Sequence, residues 1–292
     1  MINFNKSGYG ICRSSFGEII QGRKTNNEDF LISLPIKLNS SCKIKIEKID
    51  APLIVECDRQ KTKDLVTILF QKMKINWGYY VKCNLESDIP ISKGLSSSTA
   101  DMVAAARAVE NLFNISFDKK LISKVFKIIE PHEGLHYSAC TLYNHVKGKL
   151  ISYFEYIPSF YIVAIDRGGV VDTLEFNKNI KYTFSQKKMS EKNLKRIIGA
   201  FKNKDDLEIA KCATISSQIL AERCNYKLNK KAVSFVDEVK SIGVVSAHSG
   251  TYIGFLYAKN ESNIKNLKKY KSCIREKFKK KVTVYETVNY IY

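Results

Sequence analysis

Hydrophobic and polar residues alternate along two early stretches of the chain, which is typical of β-strands with one buried face. These stretches cover residues 30–38 and 42–49, and a third run rich in β-forming residues covers 79–85. Over residues 101–113 the apolar positions instead recur every three or four residues. The pattern therefore predicts strands that are followed by a helix.

The second half of the chain contains both the strand pattern and the helix pattern. Residues 160–166 are almost all apolar, which predicts a buried strand. Helices are predicted at 190–202, 205–224 and 260–278, and further strands at 251–257 and 281–288. Residues 146–159 follow neither period, and we expect the seam between two domains there.

The composition is that of a globular protein. The chain has 292 residues, of which 45% are hydrophobic and 26% are charged, and this excludes a disordered or collagen-like chain. It contains no run of eighteen apolar residues and begins without the features of a secretory signal, so we expect a cytoplasmic protein with no membrane partner. Eight cysteines without a C-x-x-C pair favour reduced, buried thiols over a disulfide framework or a structural zinc site.

The net charge of +19 points first to a nucleic-acid partner, because phosphate contacts dominate that kind of binding. However, the lysines are spread through the chain, with the densest patch at 265–281, and they are not interleaved with aromatic residues in a stacking motif. We therefore expect a solvated basic surface and no nucleic-acid partner. Such a surface would also attract anionic metabolites such as nucleotides.

The strongest chemical signal is the segment from Pro90 to Ala100, PISKGLSSSTA, which lies between a predicted strand and a predicted helix. Backbone N–H groups at a helix N-terminus have no internal partners and lie at the positive end of the helix dipole, so a loop of small residues there suits a phosphate. Serine and threonine are also favoured helix caps, which would explain the same residues without a ligand. The sequence contains neither a Walker A loop nor G-x-G-x-x-G after a strand, which argues against the two common nucleotide folds.

The segment is similar to the ATP loop of the GHMP small-molecule kinases, which has the form P-x-x-x-G-L-x-S-S-x-A. Residues 14–22, SSFGEIIQG, resemble the first motif of that family, and residues 246–254, SAHSGTYIG, resemble its third. Together with residues 166–173, these forms are most similar to the family members that phosphorylate L-threonine in cobalamin synthesis.

The resemblance implies a two-lobed α+β fold. Residues 1–155 would form an N-terminal lobe like domain 2 of ribosomal protein S5, and residues 156–292 a ferredoxin-like C-terminal lobe. It also implies ATP and Mg²⁺ as cofactors and a small hydroxy amino acid as substrate, L-threonine first and another hydroxy amino acid of a specialised pathway second. A homodimer is compatible with these residues, which do not define the oligomeric state.

The resemblance also implies roles for individual residues. The residues expected to bind the nucleotide are Pro90, Lys93, Gly94, Leu95, Ser96, Ser97, Ser98, Thr99 and Ala100. Ser98 and Glu130 are the expected metal ligands, and Ser98 and Glu133 the expected catalytic residues. Glu133 stands where related sequences have aspartate in E-P-[ST]-D-G. It has the same charge on a longer side chain, so it could accept the hydroxyl proton or orient the substrate.

A further set of residues is expected to bind the acceptor. These residues are Ser15, Glu18, Asp166, Thr173, His248, Ser249 and Gly250. The carboxylate of Glu18 could receive the ammonium group of an amino acid. Gly250 would allow a tight turn beside the segment at residues 90–100, which we call the phosphate loop. A strand-edge glutamate, a structural histidine and an ordinary turn would explain the same residues without a ligand.

A competing motif occupies residues 132–136, HEGLH, which match the H-E-x-x-H signature of zinc proteases. Its context argues against a zinc site, because Pro131 precedes it and Gly134 weakens a helix by about 1 kcal/mol. Zinc-dependent hydrolysis is the alternative enzyme class. A nucleic-acid-binding protein that kept the kinase fold and lost turnover is the alternative outside the enzymes.

Overall fold

The structure is a computed structural model, and it describes residues 6–169 and 181–288. Its strands are β1 (Ser7–Arg23), β2 (Asp29–Pro52), β3 (Ile54–Glu56), β4 (Trp77–Ser87), β5 (Cys140–Asn144), β6 (Lys149–Phe154), β7 (Phe160–Asp166), β8 (Gly243–Ser246), β9 (Tyr252–Ala258) and β10 (Val282–Glu286). Its α-helices are α1 (Gln60–Lys72), α2 (Ser97–Phe113), α3 (Lys119–Ile129), α4 (Phe184–Lys202), α5 (Asp206–Arg223), α6 (Lys227–Ser234) and α7 (Glu261–Phe278). A short 3₁₀ helix spans Leu135–Tyr137.

The strands form one sheet in the order β10-β7-β9-β8-β1-β2-β4-β3, and the β5–β6 hairpin is attached to β2. Neighbouring strands are antiparallel, apart from β3 and β4. Within this order, strands from the second half of the chain form one end of the sheet, and strands from the first half form the other end. The two sets meet where Glu18 of β1 pairs with Ser246 of β8. The predicted division at residue 155 falls between β6 and β7 and stays a prediction.

Strand β7 is buried on both faces, which explains its continuous apolar sequence. One face contributes to a large core, and the other contributes to a smaller core formed with β9, α6 and α7. The alternating residues are Phe160, Ile162 and Ala164 on the first face and Tyr161, Val163 and Ile165 on the second.

Helix α2 is almost entirely buried, and it packs across β1 and β2. Its alanines allow a close approach to the sheet, and β1 has glycine at the point of contact. A Cβ atom on Gly10 would come within 2.1 Å of the carbonyl oxygen of Ala104. This packing holds the N-terminus of α2 at a fixed place beside the sheet.

Several predicted elements differ from the structure. The strands predicted at 30–38 and 42–49 are one continuous strand, β2, because polar Ser40 and Ser41 keep their pairing with β1 and β4. Residues 146–159 are not irregular throughout, since β6 pairs there with β5. The helices predicted at 205–224 and 260–278 agree closely with α5 and α7.

The described residues also bear on membrane insertion and thiol state. None of their helices is long and apolar enough to cross a membrane. All eight cysteines are free thiols, and five of them are buried: Cys12, Cys42, Cys83, Cys140 and Cys212.

Candidate active site

The loop between β4 and α2 ends in a helix N-terminus that no side chain caps. Ser96 precedes the helix in a left-handed conformation, with φ 59° and ψ 30°, and its hydroxyl makes no capping hydrogen bond. The first backbone bond of the helix runs from Ala100 N–H to the Ser96 carbonyl oxygen at 2.9 Å. The preceding amides have no acceptor within the helix and can bind an anion. Helix capping therefore does not explain the serine at position 96.

This N-terminus borders a cleft of about 490 Å³, a size typical of small-molecule sites. The loop residues that line the cleft are Gly94, Ser96, Ser97, Ser98 and Thr99. The opposite walls come from residues 58–62 at the start of α1, from the segment after α3, and from Ser249. Three distant parts of the chain thus converge on the start of α2.

Ser98 and Glu130 form a pair of oxygen donors at the cleft. Ser98 Oγ donates a hydrogen bond to Glu130 Oε1 at 2.6 Å, and Lys61 donates to the other carboxylate oxygen. The side chain of Glu130 is buried, whereas Lys61 is partly exposed. A hydroxyl and a carboxylate are hard ligands that fit Mg²⁺, which usually takes its other ligands from water and substrate phosphates. The described residues contain no cluster of three or more His, Cys, Asp or Glu residues suited to a metal held by protein alone.

Glu133 also lies beside the start of α2. Its carboxylate accepts a hydrogen bond from the hydroxyl of Ser96. Burial raises the pKa of Glu133 above its usual range, and the nearby carboxylate of Glu18 raises it further. Glu133 can therefore take up a proton near neutral pH more readily than an ordinary glutamate.

Glu18 is buried beneath this part of the cleft. Its carboxylate accepts a hydrogen bond from the backbone N–H of His248 at 3.0 Å, and burial raises its pKa. The imidazole Nε2 of His248 lies 3.1 Å from Ser216 Oγ. Burial lowers the pKa of His248 well below its usual value, so the ring is neutral. His248 thus holds Glu18 in place from behind and does not line the cleft.

The third sequence motif packs directly against the phosphate loop. A Cβ atom on Gly250 would lie 2.3 Å from the Cα atom of Gly94, and Gly94 itself has a φ of 79°. The backbone N–H of Thr251 donates to the Lys93 carbonyl oxygen at 3.0 Å. Only glycine fits at this contact, which fixes the loop on the third motif.

Lys93 and Asp166 lie together but outside the lining of the cleft. Their side chains form an ion pair of 2.8 Å, and Lys93 also donates to the Gly169 carbonyl oxygen at 3.0 Å. This pair ties the phosphate loop to the end of β7. Thr173, expected to bind the acceptor, lies outside the described residues.

Four other expected ligands are not brought to the cleft. Leu95 and Ala100 are fully buried in the core, and Pro90 precedes the loop without lining it. The hydroxyl of Ser15 is also buried, where it donates to the Gly17 carbonyl oxygen at 2.6 Å and accepts from the Leu34 N–H at 2.9 Å. These side chains support the loop and strand backbone.

The HEGLH segment does not form a zinc site. His132 Nε2 lies 3.1 Å from the hydroxyl of Tyr143, and His136 Nε2 lies 2.8 Å from Ser123 Oγ. Both rings are buried against Phe126. The segment forms a turn and a 3₁₀ helix, so the two histidines are not one α-helical turn apart. The zinc-protease interpretation is therefore wrong.

The wall formed by residues 58–62 has no counterpart in the sequence-based expectations. It contains Lys61, which contacts Glu130, and Arg59, whose Nε lies 4.0 Å from Asp101 Oδ2. Helix α1, which positions this wall, could have been predicted from the sequence, because its buried residues recur at helical spacing. These residues are Thr62, Leu65, Val66, Leu69 and Phe70.

Known proteins resemble the chain in this same region. Residues 62–142 match a protein-family model described as the GHMP kinases N terminal domain. The matched segment contains the loop before α2 together with Glu130 and Glu133. It therefore covers the centre of the cleft.

Two curated relatives align with most of the chain. The L-threonine kinase of Citrobacter freundii is 24% identical over 268 residues, and the alignment covers 88% of each chain. The L-threonine kinase of Salmonella typhimurium is 23% identical over 262 residues, with 88% of this chain and 85% of that kinase covered. Among solved structures, homoserine kinase from Cytophaga hutchinsonii superimposes with a TM-score of 0.74 at 10% identity, over 100% of this chain and 97% of that one.

The chain has a two-lobed α+β fold like that of the homoserine kinase structure. The matched domain and the aligned kinases support an ATP-dependent phosphotransferase.

Proposed function

We propose that the protein transfers the γ-phosphoryl group of ATP to the side-chain hydroxyl of a small amino acid. L-threonine is the first choice, and O-phospho-L-threonine is then the product. The observation that carries this proposal is the arrangement around the start of α2. Ser98 and Glu130 bring together a hydroxyl and a carboxylate that can hold a metal, and Glu133 contacts Ser96 at the same helix start, with Glu18 near it.

The phosphate end of the site is built for positioning and charge neutralisation, which dominate phosphoryl transfer. The open amides at residues 97–99 bind the terminal phosphates, and Ser98 and Glu130 would hold Mg²⁺ beside them. When bound, the ion neutralises the charge of the phosphates. Lys61 is close enough to Glu130 to add a further positive charge to this end of the cleft.

The acceptor end is built from carboxylates. Glu133 lines the cleft beside the start of α2, where it can orient the acceptor hydroxyl and accept its proton. Its raised pKa matches that role, because a base of raised pKa holds the proton more firmly. Glu18 lies behind it and supplies negative charge toward an ammonium group.

Two similarities support a hydroxy amino acid as the acceptor. The curated relatives that align with most of the chain are L-threonine kinases, and a protein of the same fold is a homoserine kinase. Threonine phosphate would supply cobalamin synthesis. A different hydroxy amino acid is the second candidate, because a single methyl group changes binding by only about 1–3 kcal/mol.

A screen of acceptors tests the proposal. Purified protein is mixed with Mg²⁺ and ATP, and ADP release is measured with L-threonine, L-serine, L-homoserine, mevalonate and a hexose. We expect release that depends on a hydroxy amino acid, with the highest kcat/KM for L-threonine. Turnover with mevalonate or the hexose and none with any amino acid would contradict the proposal.

A further inference from the structure

A narrow recess adjoins the cleft at Glu133. Glu133, Pro131 and Ser249 line both spaces, whereas Glu18 and Gln21 line only the recess. The recess has a volume of about 20 Å³, and a water molecule needs roughly 10–15 Å³ by the same measure. It therefore accommodates one small polar group at the end of a larger ligand.

Gln21 presents an unused hydrogen-bond acceptor in this recess. The residue is 4% exposed, and its side-chain oxygen, Oε1, has no hydrogen-bond partner among the described residues. Its backbone is fixed, because the Gln21 N–H donates to Ser216 Oγ at 3.0 Å. Its side-chain Nε2 lies 3.5 Å from His145 Nε2, which leaves Oε1 as the free end of the amide. A buried acceptor without a partner is rare in folded proteins, and this one lines a space that a donor group of a ligand can fill.

The charges around the recess select the kind of ligand. Glu18 and Glu133 place two carboxylates on its wall, and no lysine or arginine among the described residues lines it. The charge of Glu18 already disfavours ionisation of Glu133, so a positive group between them would relieve the repulsion. Two carboxylates and an amide oxygen are all acceptors, and they match a cation with several N–H donors.

We infer that the recess binds the primary ammonium group of the acceptor and that Gln21 determines specificity for that group through its side-chain oxygen. An ammonium group has the size of a water molecule and carries three N–H donors, one each for Gln21, Glu18 and Glu133. The remainder of the acceptor lies in the cleft, with its hydroxyl toward the start of α2. This inference rests on the proposed function and narrows it to hydroxyl compounds that carry an unsubstituted amine.

The test compares acceptors that differ only at the amine. ADP release is measured for the wild-type protein with L-threonine, N-acetyl-L-threonine and 3-hydroxybutyrate, which lacks the amine. We expect kcat/KM for the two analogues to fall by about a hundredfold or more, since each loses charge-assisted hydrogen bonds. Equal turnover of L-threonine and either analogue would overturn the inference.

Variants at Gln21 then test its side chain. Gln21→Leu removes the oxygen at similar size, and we expect the KM for L-threonine to rise about tenfold while the KM for ATP stays unchanged. Gln21→Glu keeps an oxygen at that position, and we expect it to retain a lower KM for L-threonine than Gln21→Leu. An unchanged KM for L-threonine in Gln21→Leu would overturn the role of Gln21.

The proposed kinase function and the proposed ammonium site can be disproved separately. If no hydroxy amino acid supports ADP release, both the proposed function and this inference are wrong. If hydroxy amino acids are phosphorylated whether or not the amine is free, the proposed function stands and this inference alone is wrong. The analogue series uses the wild-type protein, so it decides the question even if a variant does not fold.

Discussion

Ser98 Oγ and Glu130 Oε1 lie 2.6 Å apart although 32 positions separate these residues in the chain. Ser98 is in the first turn of α2, and Glu130 directly follows the last residue of α3. The start of one helix and the end of another thus meet at the cleft. A hydroxyl, a carboxylate and open backbone amides come together there, as a nucleotide with its metal requires.

Removal of the Ser98 hydroxyl tests this pair. Ser98→Ala should lower kcat about tenfold or more and raise the Mg²⁺ concentration needed for half-maximal rate, because one metal ligand is lost. The fold should persist, since the side chain is only partly buried in the first turn of α2. Ser97→Ala is the matched control, because Ser97 also lines the cleft. Equal rates and Mg²⁺ dependence in the two variants would contradict the assignment.

Neutralisation of Glu133 tests the acceptor end. Glu133→Gln keeps the shape but removes the base, so kcat should fall about a hundredfold while the KM for ATP changes little. Glu133→Asp keeps a carboxylate on a side chain one methylene shorter and should retain more activity than Glu133→Gln. Steady-state kinetics of both variants check this expectation. Wild-type kinetics in Glu133→Gln would remove this carboxylate from the mechanism.

The contact between Gly250 and Gly94 predicts a selective effect on nucleotide binding. A Cβ atom at Gly250 has no room against the loop backbone, so Gly250→Ala should displace the loop and raise the KM for ATP severalfold. Gly199→Ala is the control, because a Cβ atom there meets nothing within 4 Å inside α4. That control should raise the melting temperature slightly, since alanine favours a helix by about 1 kcal/mol over glycine. Equal ATP kinetics in both variants would argue against the contact.

The buried histidines predict a loss of stability in acid. Burial lowers the pKa of His132 and of His145 to about 4, against about 6.5 in an unfolded chain. The unfolded state therefore binds more protons between these values, and the stability that the neutral rings contribute above pH 6.5 is lost as the pH falls toward 4. Thermal unfolding should show a melting temperature that drops across this window. The drop should be smaller in His132→Asn, and an equal drop in both proteins would contradict the prediction.

The loop before α2 could be predicted from sequence as a candidate phosphate site because its requirements are local. Small residues, a following run of alanines and the order of the three motifs all lie within short segments. Glu130 and Glu133 were placed by the resemblance, and the structure puts both side chains at the cleft. His132 and His136 match the zinc-protease pattern in the sequence but do not form that site. Gly134 has a φ of 75°, which turns the segment away from the α-helix that the pattern requires.

The recess could not be predicted, because strand pairing across the sheet creates it. Gln21 of β1 pairs with Leu31 of β2, and Leu31 pairs with Tyr143 of β5, which brings His145 near Gln21 across 124 positions. No short segment contains that information. The first part of strand β1 has glycine at positions 8 and 10, where close packing of α2 leaves no room for a side chain.

A crystal structure of the protein with Mg²⁺ and a non-hydrolysable ATP analogue tests the central claim most directly. The account predicts terminal phosphates within hydrogen-bond distance of the backbone amides at residues 97–99. It also predicts a Mg²⁺ ion in contact with Ser98 and Glu130. A nucleotide bound elsewhere, with the start of α2 free of phosphate, would contradict the account.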